Sequence, residues 1–189
     1  MNIKEVIKPA AILFVICVAV SAALAGTNLL TADRISKAAA DKASESRMIA
    51  LPGADTFEDA GGCYVGLDGS GQTVGYVFET ESKGYGGTVK VMTGISAGGE
   101  ITGVIVLSHS ETPGLGANAE KAEFRDQYKQ PVKDSANNAD GIKVVKFQVP
   151  NEGEIQAMTG ATITSTAVTN AVNEAIGQYQ ATYASEGGN

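Results

Sequence analysis

Between residues 9 and 32 the chain carries no charged side chain, and positions 10–25 are almost wholly apolar. As a helix, two dozen residues rise roughly 36 Å at about 1.5 Å each, enough to cross a bilayer core of about 30 Å. Polarity returns at 31–50, an Ala-rich stretch read as helix with Thr31 or Asp33 as candidate caps. Leu51-Pro52-Gly53 ends it, because proline disfavours helix at the preceding residue and glycine terminates helices. From Cys63 the period changes to two. Positions 64–67 and 73–79 flank the turn Gly69-Ser70-Gly71, and 88–95 and 101–107 flank Ala97-Gly98-Gly99, which predicts two β-hairpins. The alternations Val89/Val91 and Val104/Val106 predict one buried face. A short charged helix is expected over 119–128, a strand over 142–149 and a last helix over 162–183. In that helix Ala167, Val168, Ala171, Val172, Ala175, Ile176 and Tyr179 recur at three and four residues.

Antiparallel hairpins with segregated helices make an α+β fold. The expected organisation is a transmembrane anchor at 1–32, a helical stalk at 33–52, a globular domain at 53–184 and a frayed tail at 185–189. A cleavable secretory signal is the rival reading of the start: Lys4 and Lys8 precede the apolar run, and Ala23-Leu24-Ala25 resembles a cleavage site. The length of the uncharged run favours the anchor. Charge alone does not orient it, since Arg34, Lys37, Lys42 and Arg47 follow the span.

Composition narrows the function classes. With 43% hydrophobic and 19% charged residues the chain can form a real core. A net charge of −7 without a basic run argues against a nucleic-acid partner, and the absence of Trp argues against a base-stacking platform. Cys17 falls in the apolar run and Cys63 in the soluble part, so a mutual disulfide is not expected. Neither has the paired spacing of a zinc or iron–sulfur site, and a single His closes off most metal readings.

The chemistry concentrates in Met158-Thr159-Gly160-Ala161-Thr162-Ile163-Thr164-Ser165-Thr166, where five hydroxyls surround a Gly-Ala step at the start of the last helix. Backbone N–H groups of a first helical turn, together with hydroxyls, suit a phosphate. The plainer reading is that Thr159 or Thr162 caps the helix. Met158 reads as core packing. Lys83-Gly84-Tyr85-Gly86-Gly87 lets backbone approach a flat ring or phosphate, with Lys83 available to the phosphate and Tyr85 to stack. Its plainer reading is an inter-strand loop. In the segment 108–116, Thr112-Pro113-Gly114 has turn chemistry, Leu115 can cover a ring, and Glu111 and Thr112 can reach heteroatoms. Ser108, His109 and Ser110 lack the strand–elbow–helix context of a hydrolase, and His109 reads as orienting its loop.

Thr159-Gly160-Ala161-Thr162 resembles the Ser/Thr-Gly-Ala-Thr motif of proteins that carry flavin mononucleotide (FMN) covalently. With Lys83–Gly87, the 108–116 segment and the N-terminal apolar run, the chain resembles the G subunit of the Rnf ion-translocating electron-transport complex over about 1–179. The resemblance implies a phosphoester from Thr162 to FMN, with Thr159, Gly160, Ala161, Lys83, Tyr85, Gly86, Glu111, Thr112, Leu115 and Gly116 as cofactor-binding residues. Where the family often has an acidic residue three positions before the first Thr, this chain has Gln156. Also implied are a separate flavin transferase, other membrane subunits of the Rnf complex as partners, and a membrane-anchored flavin domain on the external side. The activity implied is electron relay between reduced ferredoxin and NAD⁺, coupled to Na⁺ or H⁺ movement. No ferredoxin site, NAD fingerprint, ion pathway or catalytic residue is visible in the chain. Alternatives are the C subunit of a Na⁺-translocating NADH:quinone reductase, a free-standing extracellular flavin shuttle, and a non-redox binding domain with unmodified Thr162.

Overall fold

The computed structural model describes residues 3–132 and 141–183; the tail expected at 185–189 lies outside the described residues. Two compact units divide the chain, Met1–Ser44 and Glu45–Asn189. Helix α1 (Ile3–Ala50) supplies the first and enters the second. Within it, Ile12–Ala32 is long and apolar enough to cross a membrane, at a mean hydropathy of 2.2, and its side chains are not buried. Two hydroxyls in this stretch are satisfied inside the helix: Thr27 donates to the Ala23 carbonyl and Thr31 to the Thr27 carbonyl, each at 2.9 Å. In an apolar environment such internal pairing removes most of the cost of a hydroxyl. Contrary to expectation, neither Thr31 nor Asp33 caps a helix. The residues before them are already helical, so their amides have carbonyl partners one turn back.

The second unit is built on a five-stranded antiparallel meander: β1 (Thr56–Asp59), β2 (Tyr64–Leu67), β3 (Thr73–Lys83), β4 (Thr88–Ser96) and β5 (Ile101–Ser108), in that spatial order. Both expected hairpins are present, β2–β3 and β4–β5, and β3 also pairs with β4 from Gly75↔Ser96 to Lys83↔Thr88. Helix α3 (Thr162–Thr182) packs on one face against β3 and β4, burying Ala167, Val168, Ala171, Val172 and Ala175 against Phe78, Val89, Val91 and Ile95. Thr80 Oγ1 donates to the Ala171 carbonyl at 2.8 Å, tying β3 to the helix. The opposite face is covered by the end of α1 and the residues after it: Ala50, Leu51 and Ala54 pack on Val77 and Met92. There Thr102 Oγ1 donates to the Ala50 carbonyl at 2.6 Å, and the Arg47 guanidinium lies 3.6 Å from the Tyr64 ring centroid and 3.7 Å from Glu79. Thus β4 is buried on both faces, not on one as its alternation suggests, and a run such as Val91-Met92-Thr93-Gly94-Ile95 serves two cores at once.

Two expected elements shift and one strand is new. The 119–128 helix is instead a 3-10 turn (Gly116–Glu120), a single turn α2 (Ala122–Arg125) and a second 3-10 turn (Asp126–Tyr128), because Lys121 between the first two is extended at φ −73°, ψ 143°. The 142–149 strand contracts to β6 (Lys143–Val145), since Phe147 takes a left-handed φ of 56° that a strand cannot continue through. A strand absent from the expectations, β7 (Glu154–Gln156), pairs with it in parallel and leads directly into the Thr159–Thr162 motif. Asn173 of α3 ties this small sheet down: its Oδ1 accepts from the Ile142 N–H at 2.8 Å and its Nδ2 donates to the Ile142 carbonyl at 2.9 Å.

Candidate functional site

The three chemistry-bearing segments lie far apart in sequence, and the fold brings them to one place. The turn after β3 carries Tyr85 and Gly86, the loop after β5 carries 109–116, and the β7–α3 connection carries Thr159 to Thr162. Together they form a cleft of about 550 Å³ lined by Tyr85, Glu111, Thr112, Leu115, Gly116 and the stretch Gly160 to Thr164. That volume lies within the roughly 300–1,000 Å³ of small-molecule sites.

Glu111 joins the segments. Only 6% exposed, it accepts a hydrogen bond from the Gly86 N–H at Oε1 (2.9 Å) and one from Thr164 Oγ1–H at Oε2 (2.5 Å). A buried carboxylate is costly unless such charge-assisted bonds replace water. Side chains are excluded around it. A Cβ on Gly116 would stand 2.7 Å from both Glu111 Oε2 and Thr164 Oγ1, and one on Gly86 would collide with the Ser110 carbonyl. Backbone also fixes the glutamate: its N–H donates to His109 Nδ1 at 3.1 Å. Nδ1 therefore holds a lone pair, which leaves the imidazole proton on Nε2, 3.1 Å from Glu120 Oε1. His109 orients its loop, and both its nitrogens are engaged in doing so.

The helix start is uncapped. Ala161 occupies the N-cap position and no side chain caps the helix, so neither Thr159 nor Thr162 acts as the cap that the plainer reading expects. The first helical bond runs from Ser165 N–H to the Ala161 carbonyl at 2.9 Å, which leaves the amides of Thr162, Ile163 and Thr164 without a carbonyl one turn back. Their dipoles place about half a positive charge at the cleft. The entering loop is held by Ser165, whose Oγ accepts from the Met158 N–H and donates to the Ala161 carbonyl, both at 3.0 Å. Gly160 passes through φ +74°, a conformation that side chains resist, so the chain turns sharply into the helix. Thr162 is half-buried at the cleft wall. Met158 packs against the main core, as expected.

Among the residues expected from the sequence, Thr162, Gly160, Ala161, Tyr85, Glu111, Thr112, Leu115 and Gly116 line the cleft. Gly86 reaches it through its bond to Glu111. Lys83 is exposed as the last residue of β3, paired with Thr88, and is not part of the lining. Thr159 is exposed on the other side of the loop, in a polar groove with Asn118, Lys121, Gln127 and Gln156. Two further lining residues, Ile163 and Thr164, belong to the first helical turn whose N–H groups are expected to receive a phosphate; their side chains are not among those expected. Thr164 carries a readable signal, since a buried glutamate needs a donor and a hydroxyl-rich helix start offers several.

Phosphate suits the uncapped amides, and a flat ring suits the apolar rim of Tyr85 (74% exposed), Leu115 and Ile163. Comparison with known proteins gives this fit a name. Residues 84–177 match the FMN-binding domain family and residues 1–46 the RnfG N-terminal region. The chain is 38% identical over 200 residues to the G subunit of the Na(+)-translocating ferredoxin:NAD(+) oxidoreductase complex of Acetobacterium woodii, spanning 94% of this chain and 93% of that protein. The chain belongs to the family of Rnf G subunits. Another member, the G subunit of the proton-translocating ferredoxin:NAD(+) oxidoreductase complex of Clostridium ljungdahlii, is 41% identical over 71% of this chain and 70% of its own length. Beyond the Rnf proteins, the crystal structure of Shewanella oneidensis NqrC shares the fold, with a TM-score of 0.53 at 21% identity over 72% of this chain and 74% of that one. For this Rnf protein, family and apolar span together indicate a membrane protein with an FMN-binding domain.

Proposed function

We propose that this chain is a membrane-anchored flavoprotein subunit that relays electrons through FMN esterified to Thr162, within a ferredoxin:NAD⁺ oxidoreductase complex that couples electron flow to Na⁺ or H⁺ translocation. The carrying observation is the convergence of three motif segments on one cleft whose wall holds the Thr162 hydroxyl beside uncapped helix amides. Relatives named as Na⁺- and proton-translocating oxidoreductase components support the complex. In this reading 1–32 is the anchor, 33–52 the stalk and 53–184 the flavin domain on the external side of the membrane.

Bound FMN supplies one-electron and two-electron redox chemistry. The chain's own residues do the rest. The amides of Thr162, Ile163 and Thr164 hold the phosphate's negative charge, each such term worth on the order of 0.3–1 kcal/mol at a surface. That is too little to retain a small molecule outside a cell, where dilution removes it. An ester solves the retention problem. In its formation Thr162 Oγ1 makes the new P–O bond to the flavin-side phosphorus of a flavin phosphoanhydride donor, the P–O–P bond breaks, the donor's other phosphate leaves as a free phosphate monoester, and the hydroxyl proton passes to solvent or the enzyme. A separate flavin transferase performs this step. Tyr85 and Leu115 cover the ring, Gly116, Gly160, Ala161 and Thr112 shape the walls, and Gly86 and Glu111 hold the loops, while Lys83 and Thr159 stand outside the lining. The other Rnf membrane subunits are the electron partners.

The test is co-expression of the full chain with a flavin transferase, followed by denaturing electrophoresis. A fluorescent flavin band that survives denaturation is expected from the wild type and not from Thr162→Ala. A dark wild-type band contradicts the reading.

A further inference from the structure

Glu111 has a second consequence, which rests on the cofactor reading above. Its carboxylate is buried, lines the cleft, and is bonded to two neutral donors, the Gly86 N–H and the Thr164 hydroxyl. Neither partner cancels its charge. The ion pairs found among the described residues use other carboxylates, those of Glu79, Glu81 and Asp126. The geometry points to Glu111 as a positioning residue that also sets the potential of the site: it latches the Tyr85 turn to the flavin-bearing helix and holds a fixed negative charge at the cleft wall, which lowers the flavin's midpoint potential.

Reduction brings negative charge into the cleft, and a fixed anion opposes it. The opposition is stronger where the anion is buried than where water screens it. The helix amides act in the other direction, and their partial charge sits at the phosphate end, beside Thr162. One side chain thus serves two purposes, and these respond differently to substitution. In Glu111→Gln the amide oxygen accepts from the Gly86 N–H, and the amide N–H₂ donates to Thr164 Oγ1, whose hydroxyl rotates to become an acceptor. The latch survives and the charge disappears. Glu111→Asp keeps the charge on a shorter stem and strains the latch.

The experiment uses the full chain co-expressed with a flavin transferase, with flavin stoichiometry and midpoint potential measured by spectroelectrochemical titration for wild type, Glu111→Gln and Glu111→Asp. The Gln variant should load flavin as the wild type does and titrate at a more positive potential, while the Asp variant stays near the wild-type potential. A merely structural role moves stability and leaves the potential alone. A Gln variant that titrates with the wild type, or an Asp variant that shifts as far as Gln, overturns the proposal. So does a Gln variant that fails to fold, because an amide satisfies the latch as described. Wild-type stoichiometry is read in the same preparations. Flavin-free wild type overturns both this proposal and the cofactor assignment, whereas loaded protein with an unmoved potential overturns this proposal alone.

Discussion

Thr164 Oγ1 donates a 2.5 Å hydrogen bond to Glu111 Oε2, across 53 positions of sequence. This contact ties the loop after β5 to the helix start that carries Thr162, and the Gly86 amide completes the junction at the other carboxylate oxygen. The cleft's shape therefore depends on a polar contact between residues that no local pattern connects.

Removing that hydroxyl while keeping the side-chain shape tests the junction. Thr164→Val leaves a buried carboxylate one bond short, and a hydrogen bond to a charged group is worth about 1.5–3 kcal/mol. Chemical denaturation of the full chain should show a loss of that order in the unit Glu45–Asn189, with Thr164→Ser recovering most of it. A valine variant as stable as the wild type would mean that the contact contributes nothing.

Close backbone packing around Glu111 makes a sterically signed prediction. Gly116→Ala places a methyl 2.7 Å from two oxygens, and Gly86→Ala drives one into the Ser110 carbonyl. Each should lower stability by about 1–3 kcal/mol, the usual cost of overpacking. Gly177 in α3 is the control, because a Cβ there meets nothing within 4 Å. Gly177→Ala should stabilise by roughly 0.5–1 kcal/mol through helix propensity. Thermal melts of the three variants give the comparison, and equal shifts for all three would contradict it.

Alkaline pH should weaken the domain through Tyr128. Its hydroxyl is buried against Thr169 Oγ1 at 2.8 Å and donates there, since the Thr169 hydrogen is given to the Ser165 carbonyl at 2.9 Å. Burial pushes the Tyr128 pKa above its ordinary value of 10.0. A raised folded-state pKa means that the neutral form is favoured by folding. Its stability contribution is fully present below pH 10.0 and is lost as pH rises above that value. Denaturation midpoints followed from pH 8 to about 11 should fall at the alkaline end, and Tyr128→Phe should flatten the fall while lowering stability at neutral pH.

Much of this was legible in the chain. The apolar run gave the span, period-two stretches gave both hairpins, and the three-four repeat from Ala167 to Tyr179 gave the helix that packs on the sheet. Other features were hidden for physical reasons. β1 and β7 are short and lack a buried alternation, with patterns of mostly exposed or half-buried residues, so no period reveals them. The double burial of β4 depends on Ala50 and Leu51 covering the reverse face, a tertiary fact absent from the strand's own residues. At the site, Thr162, Tyr85 and Leu115 announced themselves through motif and residue type. Glu111 reads as a residue reaching toward a ring, whereas both its oxygens are occupied by Gly86 and Thr164. Thr164 itself is concealed among four other hydroxyls that offer the same chemistry to different neighbours.

The central claim is that Thr162 carries FMN through a phosphoester, and intact-mass measurement with peptide mapping addresses it most directly. Protein isolated from its native membrane under denaturing conditions should show the added mass of one FMN residue, mapped to the peptide containing Thr162. Thr159→Ala should retain that mass and Thr162→Ala should lack it. A native peptide with Thr162 unmodified, or a Thr162→Ala chain that still carries the flavin, would contradict the account.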